Sequence, residues 1–429
     1  MQVFEYFAIL LQNTHGEVLR MYIRRHMEGA LRKRADMYSA VMVTGPRQAG
    51  KTTLLKEAVK GVNYITLDNH TVRLAARETP SLFFKQYEPP VIVDEIQYEP
   101  QILHNVKLIA DETKKKGQFY LTGSQAFHLM KNVTESLAGR VGVLELMGLS
   151  YREIKETKYE GQFYPTAEHL DAVRSSAPKF DYHETAAIIQ KGCFPAIYEN
   201  DYDQETREDF FNDYIGTYIE HDVSALSQVA DKPAFVKFIT AAAALTGQQL
   251  NLTTLAQMTG KEVNTVKRWL SVLEISGLVY ILEPYYDNMA KRLTKTPKLY
   301  FLDTGLACFL CGWNSPEQLV KGAMSGHMFE TFVISEILKS HKNAGKSARM
   351  KFSYFRDWEG KEIDLIIERD GILHPIEIKM TGDPGKRDIA AFYSLEKLTR
   401  PVGEGGIICM CDTPLYITEK YRAIPVNMI

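Results

Sequence analysis

One short stretch of the chain combines glycine, lysine and threonine at a spacing that suits the binding of phosphate groups. GPRQAGKT (45–52) fits the pattern G-x-x-x-x-G-K-[ST] completely; it follows a strand-like run and precedes the helix-like TLLKEAV. Gly45 and Gly50 allow the backbone to curl so that its N–H groups point at phosphate oxygens. Lys51 neutralises the β- and γ-phosphates, and the Thr52 hydroxyl is a ligand for Mg²⁺. We therefore predict an ATP and Mg²⁺ site built from Gly45, Pro46, Arg47, Gln48, Ala49, Gly50, Lys51, Thr52 and Thr53.

A second motif supplies the carboxylates that such a site needs. VIVDE (91–95) has the apolar character of a buried strand and ends in two adjacent acids. We predict that Asp94 holds the Mg²⁺ shell and that Glu95 polarises the attacking water. Ser124, at the end of the strand-like FYLTGS, is placed to sense the γ-phosphate. Two interpretations of Arg140 remain open: an arginine finger, in cis or from a neighbouring subunit, and a surface or salt-bridged arginine.

Three acids and a lysine near the carboxyl end form a further constellation. Glu330 lies in a helix-like segment, Asp364 opens the strand-like DLIIE, and Glu377 and Lys379 alternate in IEIK, so both project from one face. We predict that the three carboxylates hold a divalent metal and that Lys379 positions or deprotonates a water. The spacing resembles the PD-(D/E)XK nuclease fold. The alternative is a retained fold whose acids only satisfy Lys and Arg partners.

The elements around the first two motifs alternate between strand-like and helix-like patterns. The strand candidates are 39–45, 62–68, 90–95, 118–124 and 141–147. Strands that alternate with helical patterns indicate a parallel sheet covered by helices on both faces.

The rest of the chain changes character twice. Residues 150–235 are aromatic-rich and mostly helical, and 210–229 predicts one long amphipathic helix. Between 235 and 283, three short helical patterns lead into a strand, which is the order of a winged helix-turn-helix. Lys261, Lys267 and Arg268 lie on or beside the candidate recognition helix, with Trp269 turned into the core. DNA contact and a protein-binding or connector role both remain open.

Composition excludes several classes of protein. Hydrophobic residues make up 45% of the 429 residues and charged residues 24%, as in globular proteins of several domains. A formal net charge of −2 means that nucleic-acid binding would need a local basic face. Five cysteines, four of them in apolar runs, do not form a disulfide framework or a zinc site, and no apolar run reaches about 18 residues. We expect a cytoplasmic protein without membrane contact, and an upstream start codon for residues 1–20.

The layout resembles a particular group, the AAA-type P-loop ATPases of bacteria and archaea that carry a C-terminal domain of unknown function. The resemblance rests on GPRQAGKTTLL, VIVDEIQ, LTGSQ, SLAGRV, KGCFPAIY, RWLSVLEISGLV, KRLTKTPKLYFLDTGL and the E…EIDLII…IEIK series. It implies a core sheet in which the Lys51 and Asp94 strands flank the Ser124 strand. One departure is His221, which stands where members of the group tend to have an arginine.

These patterns together predict an α/β protein: a P-loop NTPase parallel sheet of AAA type, a helical region, a winged helix-turn-helix and a PD-(D/E)XK nuclease-like α/β domain. The predicted domains are an AAA-type P-loop ATPase domain (22–150), a helical lid or linker (151–234), a winged helix-turn-helix (235–303) and a nuclease-like domain (304–429). Three functions remain open: an ATPase coupled to a DNA-binding or nuclease-like half, a nucleotide-dependent switch or assembly module acting through protein contacts, and a protein-remodelling ATPase. A homo-oligomer is compatible with each.

Overall fold

The computed structural model describes residues 22–123, 137–218, 231–286, 296–346 and 351–429. Several sequence predictions fall partly or wholly outside these ranges: the start-codon segment, Ser124, His221 and residues 219–229 of the predicted 210–229 helix. The described residues form three β-sheets with helices packed around them.

The first sheet positions the phosphate-binding motif. Its strands are β1 (Ala40–Thr44), β2 (Asn63–Thr66), β3 (Val91–Asp94), β4 (Phe119–Thr122) and β5 (Val141–Glu145), and its helices are α1 (Glu28–Met37), α2 (Lys51–Ala58), α3 (His70–Glu78), α4 (Pro80–Gln86) and α5 (Ile102–Thr113). All strand pairs are parallel, in the order β2-β3-β4-β1-β5. The five predicted strands are confirmed, and so is the placement of β4 between β1 and β3. Two separate apolar clusters cover the faces of this sheet, so β1, β3 and β4 are buried along their whole length.

A helical region follows and leads into a second, smaller sheet. The helices are α6 (Tyr151–Ile154), α7 (Ala167–Arg174), α8 (Tyr182–Lys191), α9 (Pro195–Glu199), α10 (Gln204–Tyr218), α11 (Lys232–Ala244), α12 (Leu252–Thr259) and α13 (Val263–Ile275). Strands β6 (Gln248–Gln249), β7 (Val279–Leu282) and β8 (Lys298–Phe301) form an antiparallel sheet in the order β6-β8-β7. Trp269 is buried against Phe235 and Phe238, which confirms its predicted inward direction.

The carboxyl-terminal part is built on a mixed sheet. Its helices are α14 (Thr304–Leu310), α15 (Pro316–Lys321) and α16 (Ser325–Asn343), and its strands are β9 (Phe352–Arg356), β10 (Glu362–Arg369), β11 (Ile372–Lys379), β12 (Gly405–Cys409), β13 (Leu415–Tyr416) and β14 (Tyr421–Pro425). The strand order is β13-β14-β12-β11-β10-β9. The β9-β10-β11 meander is antiparallel, whereas β11-β12-β14 is parallel.

One continuous apolar core joins these later parts. It runs from Met147 through the helical region and the three-stranded sheet to Ile429. The second and third sheets are also joined through the backbone, because the Tyr285 N–H donates to Tyr354 O at 2.6 Å and the Tyr354 N–H donates to Glu283 O at 3.1 Å. The three-stranded sheet therefore lies directly against edge strand β9.

Candidate ATP site and carboxylate cluster

The loop between β1 and α2 has a backbone that depends on glycine. Gly45 has φ 142°, and a Cβ there would lie 2.0 Å from the carbonyl oxygen of Leu146. Gly50 has φ 87° and is the residue before α2. Both conformations disfavour a side chain. The two glycines of the motif therefore fix the curl that places Lys51 at the first position of α2.

Hydrogen bonds bring together the residues that the two sequence motifs predicted separately. The Thr52 hydroxyl donates to Asp94 Oδ1 at 2.8 Å, and the Thr122 hydroxyl donates to the same oxygen. Lys51 is buried, and its Nζ donates to the carbonyl oxygens of Gly45 at 3.0 Å and Pro46 at 2.7 Å. The carboxyl ends of β1, β3 and β4 thus converge on one point.

Glu95 lies next to this point in an unusual backbone conformation. Its φ is 57°, in the left-handed region that costs a non-glycine residue of order 1–2 kcal/mol. The Glu95 N–H donates to the Thr122 hydroxyl at 3.2 Å, and the Gln97 side-chain amide donates to the Glu95 carboxylate. These contacts hold the second acid of VIVDE beside Asp94, as a water-polarising group requires.

A tyrosine that the sequence patterns did not identify completes the surroundings of Asp94. The Tyr64 hydroxyl, from β2, donates to Asp94 Oδ2 at 2.9 Å, and Lys56 Nζ lies 3.5 Å from the centre of the Tyr64 ring. Burial and the Asp94 charge raise the pKa of Tyr64, so the hydroxyl keeps its proton and remains a donor. Each Asp94 oxygen therefore has a fixed hydrogen-bond donor.

An arginine far from the motif also contacts the phosphate-binding loop. Arg25 is buried, and its guanidinium donates to the carbonyl oxygen of Ala49 at 2.8 Å and to that of Met147 at 2.7 Å. Its Nε pairs at 3.1 Å with Glu153, whose side chain is fully buried. Burial opposes the charge of Glu153, but Arg25 and His26 together with backbone N–H donors hold its pKa below the ordinary value. Arg25 thus connects the loop to α6.

The remaining predicted loop residues differ in exposure. Gln48 and Thr53 are exposed, Ala49 is buried, and Pro46 and Arg47 are half-buried. Arg47 lines a small cavity with Cys193 and Phe194 of the helical region.

Arg140 does not lie beside the other predicted residues of the ATP site. It precedes β5, and its carbonyl oxygen accepts from the Ala40 N–H at the amino end of β1. The phosphate-binding loop follows the opposite end of β1, about 13 Å along the strand. The guanidinium forms a two-pronged ion pair with Asp111, one contact of which is 3.0 Å. The structure therefore does not place Arg140 as a finger in cis; a role in a neighbouring subunit's site stays a prediction.

The C-terminal constellation comes together around a lysine that was not predicted. Lys298 of β8 is buried, and its Nζ lies 2.9 Å from Glu330 Oε1, 2.5 Å from Glu362 Oε1 and 3.5 Å from Asp364 Oδ1. The Tyr300 hydroxyl donates to the same Glu330 oxygen at 2.5 Å. An ammonium group therefore lies among the carboxylates for which the sequence predicted a metal ion.

Glu377 and Lys379 lie beside this group and pair with each other. Lys379 Nζ contacts Glu377 Oε1 at 2.6 Å, and the second oxygen of Glu377 is buried without a hydrogen-bond partner. Burial and the neighbouring Asp364 charge raise the pKa of Glu377 to about 8 and that of Glu330 to about 7. Within the described ranges, no group of three or more acidic, histidine or cysteine side chains is arranged to hold a metal ion. The metal-binding role of Glu330, Asp364 and Glu377 therefore stays a prediction.

The sheet order and the contacts of Lys51, Thr52 and Asp94 define a P-loop nucleotide-binding domain. Comparison with protein families agrees: residues 38–155 match the model of an AAA domain. Residues 183–317 and 325–429 match models of two domains of unknown function, DUF8612 and DUF4143. The sheet and the family models together support an AAA-type domain at residues 38–155 and a C-terminal segment similar to DUF4143.

Individual relatives cover most of the chain. Uncharacterized proteins of Mycobacterium tuberculosis and Mycobacterium bovis are each 28% identical over 364 residues, which is 84% of this chain and 75% of theirs. Among solved structures, the Walker-type ATPase of Pyrococcus abyssi is 15% identical and covers 68% of this chain and 99% of its own, with a TM-score of 0.42. A RuvB variant of Thermotoga maritima is 16% identical and covers 59% of this chain and 85% of its own, with a TM-score of 0.27. Across the described residues, every helix is too short or too polar to cross a membrane.

Proposed function

We propose that this chain binds ATP together with Mg²⁺ and hydrolyses it. The observation that carries the proposal is the meeting of Lys51, Thr52 and Asp94 at the carboxyl ends of β1 and β3. An ammonium group beside a glycine-fixed loop suits phosphate oxygens, and a hydroxyl with a carboxylate is the usual oxygen pair around Mg²⁺. Gly45 fits this role because its backbone passes so close to Leu146 that no side chain is tolerated.

Each residue then has a distinct task. Thr52 and Asp94 would hold Mg²⁺, which supplies charge neutralisation on the phosphates. Lys51 balances the phosphate charge, and the N–H groups at the start of α2 face the same anion. Glu95, held beside Asp94 by Thr122, orients and polarises the attacking water.

ATP hydrolysis at saturating Mg²⁺ tests this proposal. We expect Lys51→Ala and Glu95→Gln to lower the rate at least about a hundredfold, as loss of one group that stabilises the transition state does. Lys60→Ala is the matched control, because Lys60 is 67% exposed at the end of the same segment and pairs with Glu57. Equal rates in Lys51→Ala and Lys60→Ala would overturn the proposal.

We further propose that residues 232–301 act as a winged helix-turn-helix that contacts DNA. The order of elements supports this proposal: helix α11, the short strand β6, helices α12 and α13, and then strands β7 and β8 of the same antiparallel sheet. Lys267 and Arg268 on α13 are exposed, whereas Lys261 pairs with Asp231 at 2.6 Å. The exposed pair would contact backbone phosphates, so binding should weaken as salt increases.

Contact between the phosphate-binding loop and the end of α13 supports a link between the two activities. Gly277, in the turn after α13, lies so close to Pro46 that an added Cβ would be 3.3 Å from its ring. A cavity of about 630 Å³ lies beside this contact, between β5 and residues 274–281. A movement of the phosphate-binding loop on nucleotide binding would therefore act directly on the proposed winged helix-turn-helix through Gly277.

The competing function is a nucleotide-dependent switch whose C-terminal part makes protein contacts and cuts nothing. The ammonium of Lys298 among the carboxylates favours this alternative over constitutive nuclease activity. ATPase rates with and without duplex and single-stranded DNA, run beside a nicking assay, distinguish the two. DNA-stimulated hydrolysis with nicking that Asp364→Ala abolishes indicates an ATP-regulated nuclease. An ATPase rate that DNA does not change, together with uncut DNA strands, indicates the switch.

A further inference from the structure

The carboxylate cluster of the C-terminal part holds a cation that belongs to another sheet. Glu330 comes from α16, and Glu362 and Asp364 come from β10, but Lys298 comes from β8 of the three-stranded sheet. Only 4% of the Lys298 side chain is exposed. A buried lysine is stable when carboxylates compensate its charge, and here three lie within 3.5 Å.

The lysine uses the oxygens that a metal ion would need. Mg²⁺ requires several oxygens at about 2.1 Å around one point. In the cluster, Glu330 Oε1 accepts from Lys298 and Tyr300, and Asp364 Oδ2 accepts from the Ile378 N–H at 2.9 Å. These bonds occupy carboxylate oxygens that a metal ion would otherwise coordinate.

A second observation shows that the cluster is not fully satisfied by its lysines. Glu377 is 7% exposed, and its Oε2 has no hydrogen-bond partner, although a buried carboxylate oxygen without a donor is costly. Its other oxygen is bound by Lys379. Glu330, Glu362 and Asp364 share the ammonium of Lys298. The unpaired oxygen of Glu377 is therefore the acceptor that the cluster still offers to a further cation.

We infer that Lys298 is the resident cation of the carboxylate cluster, and that a divalent metal ion enters only when Lys298 has left it. Withdrawal requires β8 to move relative to α16 and β10. The strand is held in place by backbone contacts between its sheet and β9 and by the Tyr354 hydroxyl, which donates to the carbonyl oxygen of Thr296. The three-stranded sheet thereby controls whether the C-terminal part can use a metal. This inference does not depend on ATP hydrolysis, because no residue of the P-loop takes part.

Binding of Mn²⁺ to the nucleotide-free full-length chain, measured by the loss of free-ion EPR signal, tests the inference. We expect Lys298→Met to bind about one more Mn²⁺ per chain than wild type does. The dissociation constant of this ion should be at least about tenfold lower than that of any Mn²⁺ that the same cluster binds in wild type. Adding Asp364→Asn to Lys298→Met should abolish the gain, which separates this site from Mn²⁺ bound near Asp94. Lys361→Met is the matched control, because Lys361 is 49% exposed and pairs with Glu359 outside the cluster.

A second variant guards against failure of Lys298→Met to fold. Lys298→Met with Glu362→Gln removes one cation and one carboxylate together, so the remaining three acids repel one another less. A gain of Mn²⁺ in either variant supports the inference. It is overturned if neither variant gains Mn²⁺, or if wild type binds Mn²⁺ equally tightly through Asp364.

Discussion

Replacement of Arg25 by methionine should weaken both the fold and the ATP site, because its guanidinium serves both. The side chain is 3% exposed and that of Glu153 is fully buried, so the ion pair between them at 3.1 Å is shielded from water. Removing one partner of such a pair leaves an uncompensated buried charge and costs about 3–5 kcal/mol. We expect the free energy of unfolding of Arg25→Met to fall by this amount in equilibrium denaturation.

Arg25→Met also removes a hydrogen bond that positions the phosphate-binding loop. Arg25 donates to Ala49 O at 2.8 Å, and a hydrogen bond of this kind contributes about 1 kcal/mol. Loss of that positioning should raise the dissociation constant for Mg-ATP about fivefold. Arg25→Lys keeps the charge but lacks the planar fork, so it should fall between wild type and Arg25→Met in both measurements.

The neighbouring arginine provides the control. Arg24 is 59% exposed and pairs at the surface with Glu160 at 2.6 Å, so Arg24→Met should cost at most about 1 kcal/mol and leave ATP affinity unchanged. Two results would refute the reasoning about Arg25: an unfolding free energy within about 0.5 kcal/mol of wild type, or a loss of stability with no change in ATP affinity.

Three further predictions rest on other contacts. Arg140→Ala should leave the ATPase rate of isolated chains unchanged, because Arg140 pairs with Asp111 at the end of β1 that is remote from the ATP site. A lower rate that is rescued by mixing with a second active-site variant would instead indicate an arginine finger in trans. Tyr64→Phe should raise the Mg²⁺ concentration needed for hydrolysis without unfolding the chain, and an unchanged Mg²⁺ dependence would contradict its positioning role. Burial lowers the pKa of His169 to about 4, so the neutral ring contributes stability above pH 6.5 that is lost as the pH falls toward 4. His169→Gln, compared with the exposed-site control His104→Gln, should remove about 2.4 kcal/mol of that pH dependence in denaturation curves at pH 7 and pH 4.5.

The nucleotide-binding half of the fold could be predicted because its signals are local. A strand, a glycine-rich turn and a helix start within a few residues of one another at Gly45, and the Asp94 motif likewise ends its own strand. The order of the sheet did not follow from these patterns and came from the family resemblance, which correctly placed β4 between β1 and β3.

The contacts that connect distant segments could not be predicted. Arg25 is 24 positions from Ala49 and 128 from Glu153, and nothing around it in the sequence distinguishes it from Arg24. Lys298 lies in the run KRLTKTPK, whose cations look like those of any solvated segment. A lysine becomes the partner of buried acids only through the pairing of β8 with its sheet and the packing of that sheet on α16. Glu330, Asp364 and Glu377 were identified from spacing, but Glu362 and the lysine that these acids surround were not.

The most direct test of the account is ATP binding by the purified chain, measured by isothermal titration calorimetry with and without Mg²⁺. The account predicts one ATP per chain, binding that Mg²⁺ strengthens, and loss of that strengthening in Asp94→Asn. Lys51→Ala should lose binding altogether, while Lys60→Ala keeps it. Equal affinity in wild type and Lys51→Ala, or no heat of binding at millimolar ATP, would contradict the claim that this is an ATP site.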